Sequence, residues 1–222
     1  MTQKASTAER PLRADAERNR ERILEAAREL FAEDGLEVGL HEIAKRAGVG
    51  VGTVYRRFPE KDQLVVALFE DRVDEVVAIA EQALSFDDAW TGLEHFLHRT
   101  CELQVANRAM HQLVFSSTKG SQCAAGARER IAPLVGQMVL RAQEQGTMRP
   151  DVAAFDVGMV RQQLGLLIEA LGEAAPAVWP RVLRIALDGL RTSRIAPSPL
   201  PGEAPTAEIF QRVLEAKGPR NH

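Results

Sequence analysis

Cysteine, aromatic residues and long apolar runs are all scarce in this sequence. The two cysteines, Cys101 and Cys123, do not stand at metal-ligand spacing. No apolar leader core is present, nor any apolar run of about 18 residues, so neither a secretory signal nor a transmembrane helix is expected. The chain is therefore expected to be cytoplasmic, with free thiols and no membrane partner. Aromatic residues make up only 5%, no strand-like alternation stands out, and proline keeps to the N-terminal region, the junctions and the stretch after Ala196. With Leu, Ala, Val, Glu and Arg dominant, this distribution predicts an all-α protein. Basic excess is missing too: the net charge is −3, and residues 1–61 hold 12 Lys and Arg against 11 Asp and Glu. Any affinity for nucleic acid must come from a local patch.

What is present suffices for a core, since 45% of the 222 residues are hydrophobic and the length allows one or two domains. The informative stretch runs from Leu40 to Phe58. Leu40, Ile43, Ala44 and Ala47 share one side of a short helix, Gly48-Val49-Gly50 is a tight turn, and Val51, Val54 and Phe58 face inward at helical spacing on a second helix. That second helix turns Thr53, Tyr55, Arg56 and Arg57 outward. The pair, about residues 39–58, reads as a helix-turn-helix whose second helix is shaped for a DNA groove. Arg56 and Arg57 can grip guanine edges or phosphate. Gly52 costs about 1 kcal/mol relative to Ala within a helix, so close approach to a phosphate or to a neighbouring helix has to compensate.

Ile43-Ala44, Ala47-Gly48-Val49, Gly52-Thr53-Val54-Tyr55, Phe58-Pro59 and Lys61, preceded by Arg22-Ile23-Leu24-Glu25-Ala26-Ala27 and Phe31-Ala32, resemble the DNA-binding domain of tetracycline-repressor-type (TetR family) regulators. The resemblance covers about residues 18–80. It implies an all-α fold of about nine core helices: an N-terminal three-helix DNA-binding domain and a C-terminal helical domain for ligand binding and dimerisation. It also places phosphate contacts at Thr53, Tyr55 and Lys61. The family usually carries Ser or Thr at positions 39 and 50, where this chain has Gly; each change removes a side-chain cap at a cost of only a few tenths of a kcal/mol. Glu42 can still reach back as half of a capping box.

Residues 1–16 read as a flexible arm, 17–62 as the DNA-binding domain, 63–196 as the ligand and dimerisation domain, and 197–222 as a Pro-rich linker with a short helix from Thr206 to Ala216. From about Ala16 to Asp34 the apolar residues Ile23, Leu24, Ala27, Leu30 and Phe31 form one helical stripe that stops at Gly35. Arg18, Arg20 and Arg22 lie on its polar side. Arg20 is carried as a phosphate candidate, although Glu17, Glu21 and Glu25 offer ordinary salt bridges instead. A helix from Glu60 to about Leu84 is too long for the headpiece alone and is expected to connect the domains. Beyond it, Asp87 or Asp88 caps a helix to about Asn107. A short helix spans 108–115, and a longer one follows the Ser116–Gly120 loop to Gln145, broken at Pro133. The last two cover about 153–173 and 178–195.

Those last two helices are apolar on more than one side. Val160, Leu164, Leu167 and Leu171 with Val182, Ile185, Ala186 and Leu190 are expected to form a two-fold four-helix dimer interface. Phe96, Thr100, Leu103, Met110, Phe115, Met138, Gln162 and Gln163 mix apolar and polar groups as small-ligand cavities do. His95, His98 and Cys101 recur every three residues, but no second cluster completes a metal site, and no nucleophile or phosphate-loop motif occurs. The reading is a non-enzymatic regulator without cofactor or metal: a homodimeric repressor released from operator DNA by a small apolar or amphipathic molecule. The alternative is a helical small-molecule-binding or metal-dependent protein whose headpiece no longer reads DNA.

Overall fold

A computed structural model describes residues 9–106, 118–171 and 174–192, with side chains described for 15–35, 37–106, 126–171 and 174–192. Regular structure among the described residues is helical: α1 (Glu9–Asp34), a 3-10 turn (Gly35–Glu37), α2 (Leu40–Ala47), α3 (Val51–Arg57), α4 (Lys61–Leu84), α5 (Ala89–Ala106), α6 (Thr118–Glu144), α7 (Ala154–Leu171) and α8 (Val178–Leu190). The helices expected at 108–115 and 206–216, the Pro-rich linker, and residues 1–8 of the expected arm lie outside the described residues. The chain divides into two compact units, and the boundary falls inside α4 between Arg72 and Val73.

In the first unit the stripe predicted for α1 is buried. Ile23, Leu24, Ala27, Leu30 and Phe31 pack with Leu40, Ile43, Ala44 and Ala47 of α2, Val54 of α3, Phe58, and Leu64, Ala67 and Leu68 of α4. Each large side chain sheltered this way contributes about 1.5–3 kcal/mol. That core, rather than helix propensity, is what holds α3, a seven-residue helix too short to persist alone. The turn before α3 depends on Gly48, whose φ of +62° suits a residue without a side chain. A Cβ there would also come within 2.8 Å of Arg22 Nη2, the group that donates to Gly48 O at 3.1 Å. Glu42 does close half a capping box, its Oε2 accepting from Gly39 N–H at 3.0 Å.

α1 begins earlier than the sequence suggests, at Glu9 instead of about Ala16, inside the stretch expected to be an arm. Pro11 permits this because it falls in the first turn, where a missing N–H has no intrahelical acceptor to lose.

In the second unit Trp90, Leu93, Phe96, Leu97, Met138, Leu164, Ile168, Trp179, Leu183 and Leu187 belong to one buried cluster. Asp88 caps α5: its Oδ1 accepts from Trp90 N–H at 3.1 Å and its Oδ2 from the Thr91 hydroxyl. The end of α6 fixes the α4–α5 turn, with Arg141 donating to Leu84 O and Phe86 O, and Gln145 pairing with Ala89 N and Asp87 O. Arg184 of α8 reaches Glu94 of α5 at 2.8 Å. Contrary to expectation, α6 is not broken at Pro133, and Thr118–Gly120 belong to the helix, not to a loop. Pro133 and Glu129 are both exposed, so the carbonyl that loses its helical donor faces water.

Candidate nucleic-acid interface

α3 presents a polar face because its few apolar residues are consumed by the core. Val54 is fully buried and Phe58 nearly so, which leaves Tyr55, Arg56 and Arg57 exposed and Thr53 half-buried on the opposite side. Tyr55 keeps 43% of its surface. Gly52 is exposed, does not adopt a left-handed conformation, and has no atom within 4 Å of where a Cβ would stand. Helix packing therefore gives no reason for the missing side chain. Of the two compensations weighed from the sequence, approach to a neighbouring helix drops out and approach to an outside surface stays.

Charge pairing separates the arginines of this unit into two groups. Arg18 pairs with Asp15; Arg20 and Arg28 share Asp71, each at 2.8 Å; Arg46 is held by Glu29 and Glu33 at 3.0 and 2.9 Å. The hydrogen bonds of Glu33 and Glu29 raise the Arg46 guanidinium above its ordinary value, and Arg46 in turn lowers Glu33. Arg56 and Arg57 make no ion pair or hydrogen bond among the described residues. They are free cations on an exposed helix.

Arg20 is the correction. Expected to meet phosphate, it is committed to Asp71 of α4, with Glu17 3.6 Å away. Burial alone would lower its guanidinium, but the hydrogen bond and charge of Asp71, with Glu17 and Glu70, outweigh that and raise it. Its place is in the α1–α4 packing. Lys61 opens α4 with its Nζ 5.7 Å from the Phe31 ring centroid. His41, which the sequence reading passed over, sets its ring edge against Tyr55, with centroids 5.8 Å apart and planes at 70°. Nothing in its spacing on α2 signalled that α3 would fold back to it.

The residues proposed for a ligand cavity divide. Phe96, Thr100 and Met138 are buried in the second unit and Leu103 is half-buried, whereas Gln162 and Gln163 are exposed on α7 and line no interior. Met110 and Phe115 lie outside the described residues. The polar group that does turn inward is their neighbour Arg161, whose Nε and Nη2 reach Thr100 Oγ1 and Thr100 O at 3.1 and 3.2 Å. Burial pushes its guanidinium down from the ordinary arginine value, against the opposing charges of Cys101 and Glu169. Gln104, also unforeseen, is only 1% exposed and donates to Gly165 O and Glu169 Oε1, each at 3.1 Å.

The interface candidates divide as well. Leu164 and Leu190 belong to the second unit's own core, and Leu171 packs with Ala175 and Val178. Val160, Leu167 and Ala186 are half-buried. Val182 and Ile185 are exposed, and on α7 the exposed apolar residues are Phe155, Met159 and Leu166. The metal candidates look in different directions: His95 toward Gln82 and Phe86, His98 toward Glu102 and Trp179, and Cys101 into the core, where burial raises its thiol. The Cys123 side chain lies outside the described residues. No helix among the described residues is long and apolar enough to cross a membrane.

Comparison with known proteins gives two family matches. Residues 23–68 match the bacterial regulatory proteins of the tetR family, and residues 88–192 match the C-terminal domain of SbtR-like transcriptional regulators. A crystal structure of a TetR transcription regulatory protein from Mycobacterium vanbaalenii is 37% identical, aligns over 82% of this chain and all of that one, and superposes with a TM-score of 0.64. A TetR transcriptional regulator from Streptomyces coelicolor is 27% identical over 78% of this chain and 99% of its own, with a TM-score of 0.63. An HTH-type transcriptional regulator of Staphylococcus aureus is 30% identical over 105 residues, 46% of this chain, and the match spans 57% of that relative's length.

Proposed function

The chain belongs to the tetR family of bacterial transcriptional regulators and carries that family's helix-turn-helix domain, and from this premise we propose that it is a homodimeric, cytoplasmic repressor released from operator DNA by a small molecule. The observation that carries the reading is the unpaired Arg56 and Arg57 beside Tyr55 on α3, in a unit whose other described arginines up to Arg46 are tied to carboxylates or to a backbone carbonyl. Exposed and held by no carboxylate among the described residues, both guanidiniums are available to a polyanion without breaking an existing ion pair. Arg56 and Arg57 read base edges in the major groove, Thr53, Tyr55 and Lys61 hold phosphates, and Gly52 lets the backbone come close. Arg20 supports α1 and α4 and makes no contact of its own.

One such helix reads too few base pairs. Two of them, about 34–36 Å apart in a two-fold dimer, meet successive major grooves. The effector binds in the second unit and acts through α4, the helix both units share. It releases DNA only by favouring the state in which the two recognition helices no longer match that spacing.

The test starts with an operator selected from random duplex DNA, followed by anisotropy titrations at several salt concentrations. The expected result is a recovered consensus. Arg56→Ala should lose about 1–3 kcal/mol and relax specificity, and Lys61→Ala should weaken all sequences alike and shallow the salt slope by about 1. No consensus, or an Arg56→Ala variant of unchanged affinity, overturns the assignment.

A further inference from the structure

The core contacts of α2 decide which of its side chains face outward. Leu40, Ile43, Ala44 and Ala47 are buried, so His41, Glu42, Lys45 and Arg46 take the exposed side. Two of these four are engaged within the unit: Glu42 accepts from Gly39 N–H, and Arg46 is held by Glu29 and Glu33. His41 and Lys45 make no hydrogen bond or ion pair among the described residues. The His41 ring instead meets that of Tyr55 on α3, with 5.8 Å between centroids and 70° between planes, an arrangement that aromatic rings favour. Both residues are exposed. The contact carries the outward polar surface of α3 across to α2 and leaves the imidazole nitrogens open to an outside partner.

We propose that His41 is a further DNA-contacting residue: in the operator complex its protonated ring donates to a backbone phosphate beside the one that Tyr55 holds, so that binding takes up a proton. This rests on the reading of α3 as the recognition helix, and it adds a residue and a pH dependence to that reading. A phosphate strand that meets the Tyr55 hydroxyl passes within reach of a ring centred 5.8 Å away. An imidazolium donates from either nitrogen, and its charge-assisted bond to a phosphate is stronger than that of a neutral ring. The charged and titratable groups around His41 are Glu37 of the 3-10 turn, Glu42 and Lys45 on α2, and Tyr55 and Arg56 on α3. Of the two carboxylates, Glu42 is turned back to Gly39 N–H. No other histidine precedes His95 in the sequence, so this is the one imidazole carried by α1 to α4. Because the protonated ring is the form that binds, operator affinity falls as pH rises.

The test measures operator affinity of the full-length protein by anisotropy, at constant ionic strength, between pH about 5.5 and about 8. Wild type is compared with His41→Phe, which keeps a ring against Tyr55 but has no nitrogen, and with His41→Arg, which is cationic throughout. Wild type should bind about tenfold more tightly at the acid end than at the alkaline end. His41→Phe should lose that gain and stay weak at every pH, while His41→Arg should stay tight without the slope. Calorimetry of wild type in two buffers of different ionisation heat should show the proton taken up, and it needs no variant that has to fold. The proposal is overturned if wild-type affinity is flat with pH, if His41→Phe keeps the wild-type slope, or if no proton is taken up. Arg56→Ala on the same operator keeps the two readings apart. If Arg56→Ala loses affinity while His41→Phe matches wild type at every pH, recognition by α3 stands and this contact falls. If neither variant changes affinity, or no operator is recovered, both fall.

Discussion

At Gly52 stability and binding pull in opposite directions. The position is exposed, open around an added Cβ, and within a helix where Gly is worse than Ala by about 0.5–1 kcal/mol. Gly52→Ala is therefore expected to raise the melting temperature of the free protein while lowering its operator affinity. If the variant is stabilised and binds DNA as before, no close approach occurs there. The outward residues of α3 were legible from spacing alone, because Val54 and Phe58 leave their helix only one way to face the core. Arg20 was not, because its partner Asp71 lies 51 positions away and no local pattern joins them. Gln162 and Gln163 failed for a related reason. A helix turns about 100° per residue, so a one-position error in orientation exchanges exposed amides for the inward Arg161.

Among whole elements, the bounds that survived from sequence are those with a chemical stop. Gly48 and Gly146, both left-handed, end α2 and the turn after α6, and Asp88 starts α5. Those that did not survive rest on proline, whose effect depends on place: Pro11 sits in a first turn and Pro133 faces water, so neither breaks its helix. The cap on α5 also gives a pH signature. The Thr91 hydroxyl, then the N–H groups of Trp90 and Thr91 and the charge of Arg191, lower the Asp88 carboxyl against a smaller burial effect. A carboxyl lowered in the folded state contributes its full stabilisation above its unfolded value of about 3.9 and loses it as pH falls through the folded value. Asp88→Asn keeps a capping oxygen but does not titrate. Between pH 5 and about 3, wild type should lose thermal stability faster than this variant. Parallel curves would show that the cap's charge contributes nothing.

For the molecule as a whole, the sequence led to the expectation of two partners for α7 and α8 but did not say which stripe meets which. Both sides of α7 are apolar, and the choice depends on helices distant in the chain. Packing turns Leu164 and Ile168 into the unit's own core and leaves Phe155, Met159 and Leu166 outside, spaced along one face, with Val182 and Ile185 on α8. Phe155 keeps 79% of its surface and Ile185 53%, exposure a soluble monomer rarely gives to large apolar side chains at helical spacing. A second copy related by a two-fold axis covers such a face with itself. Ile185→Glu is accordingly expected to convert the dimer to a monomer by sedimentation while leaving the helical signal unchanged. Operator affinity should collapse with it, since a lone headpiece reads a single half-site. Leu164→Ala supplies the contrast: as a core residue it should cost about 2–5 kcal/mol of stability with the assembly state of the folded fraction unaltered. A variant Ile185→Glu that still sediments as a dimer would place the interface elsewhere, and the exposed stripe would then need another partner.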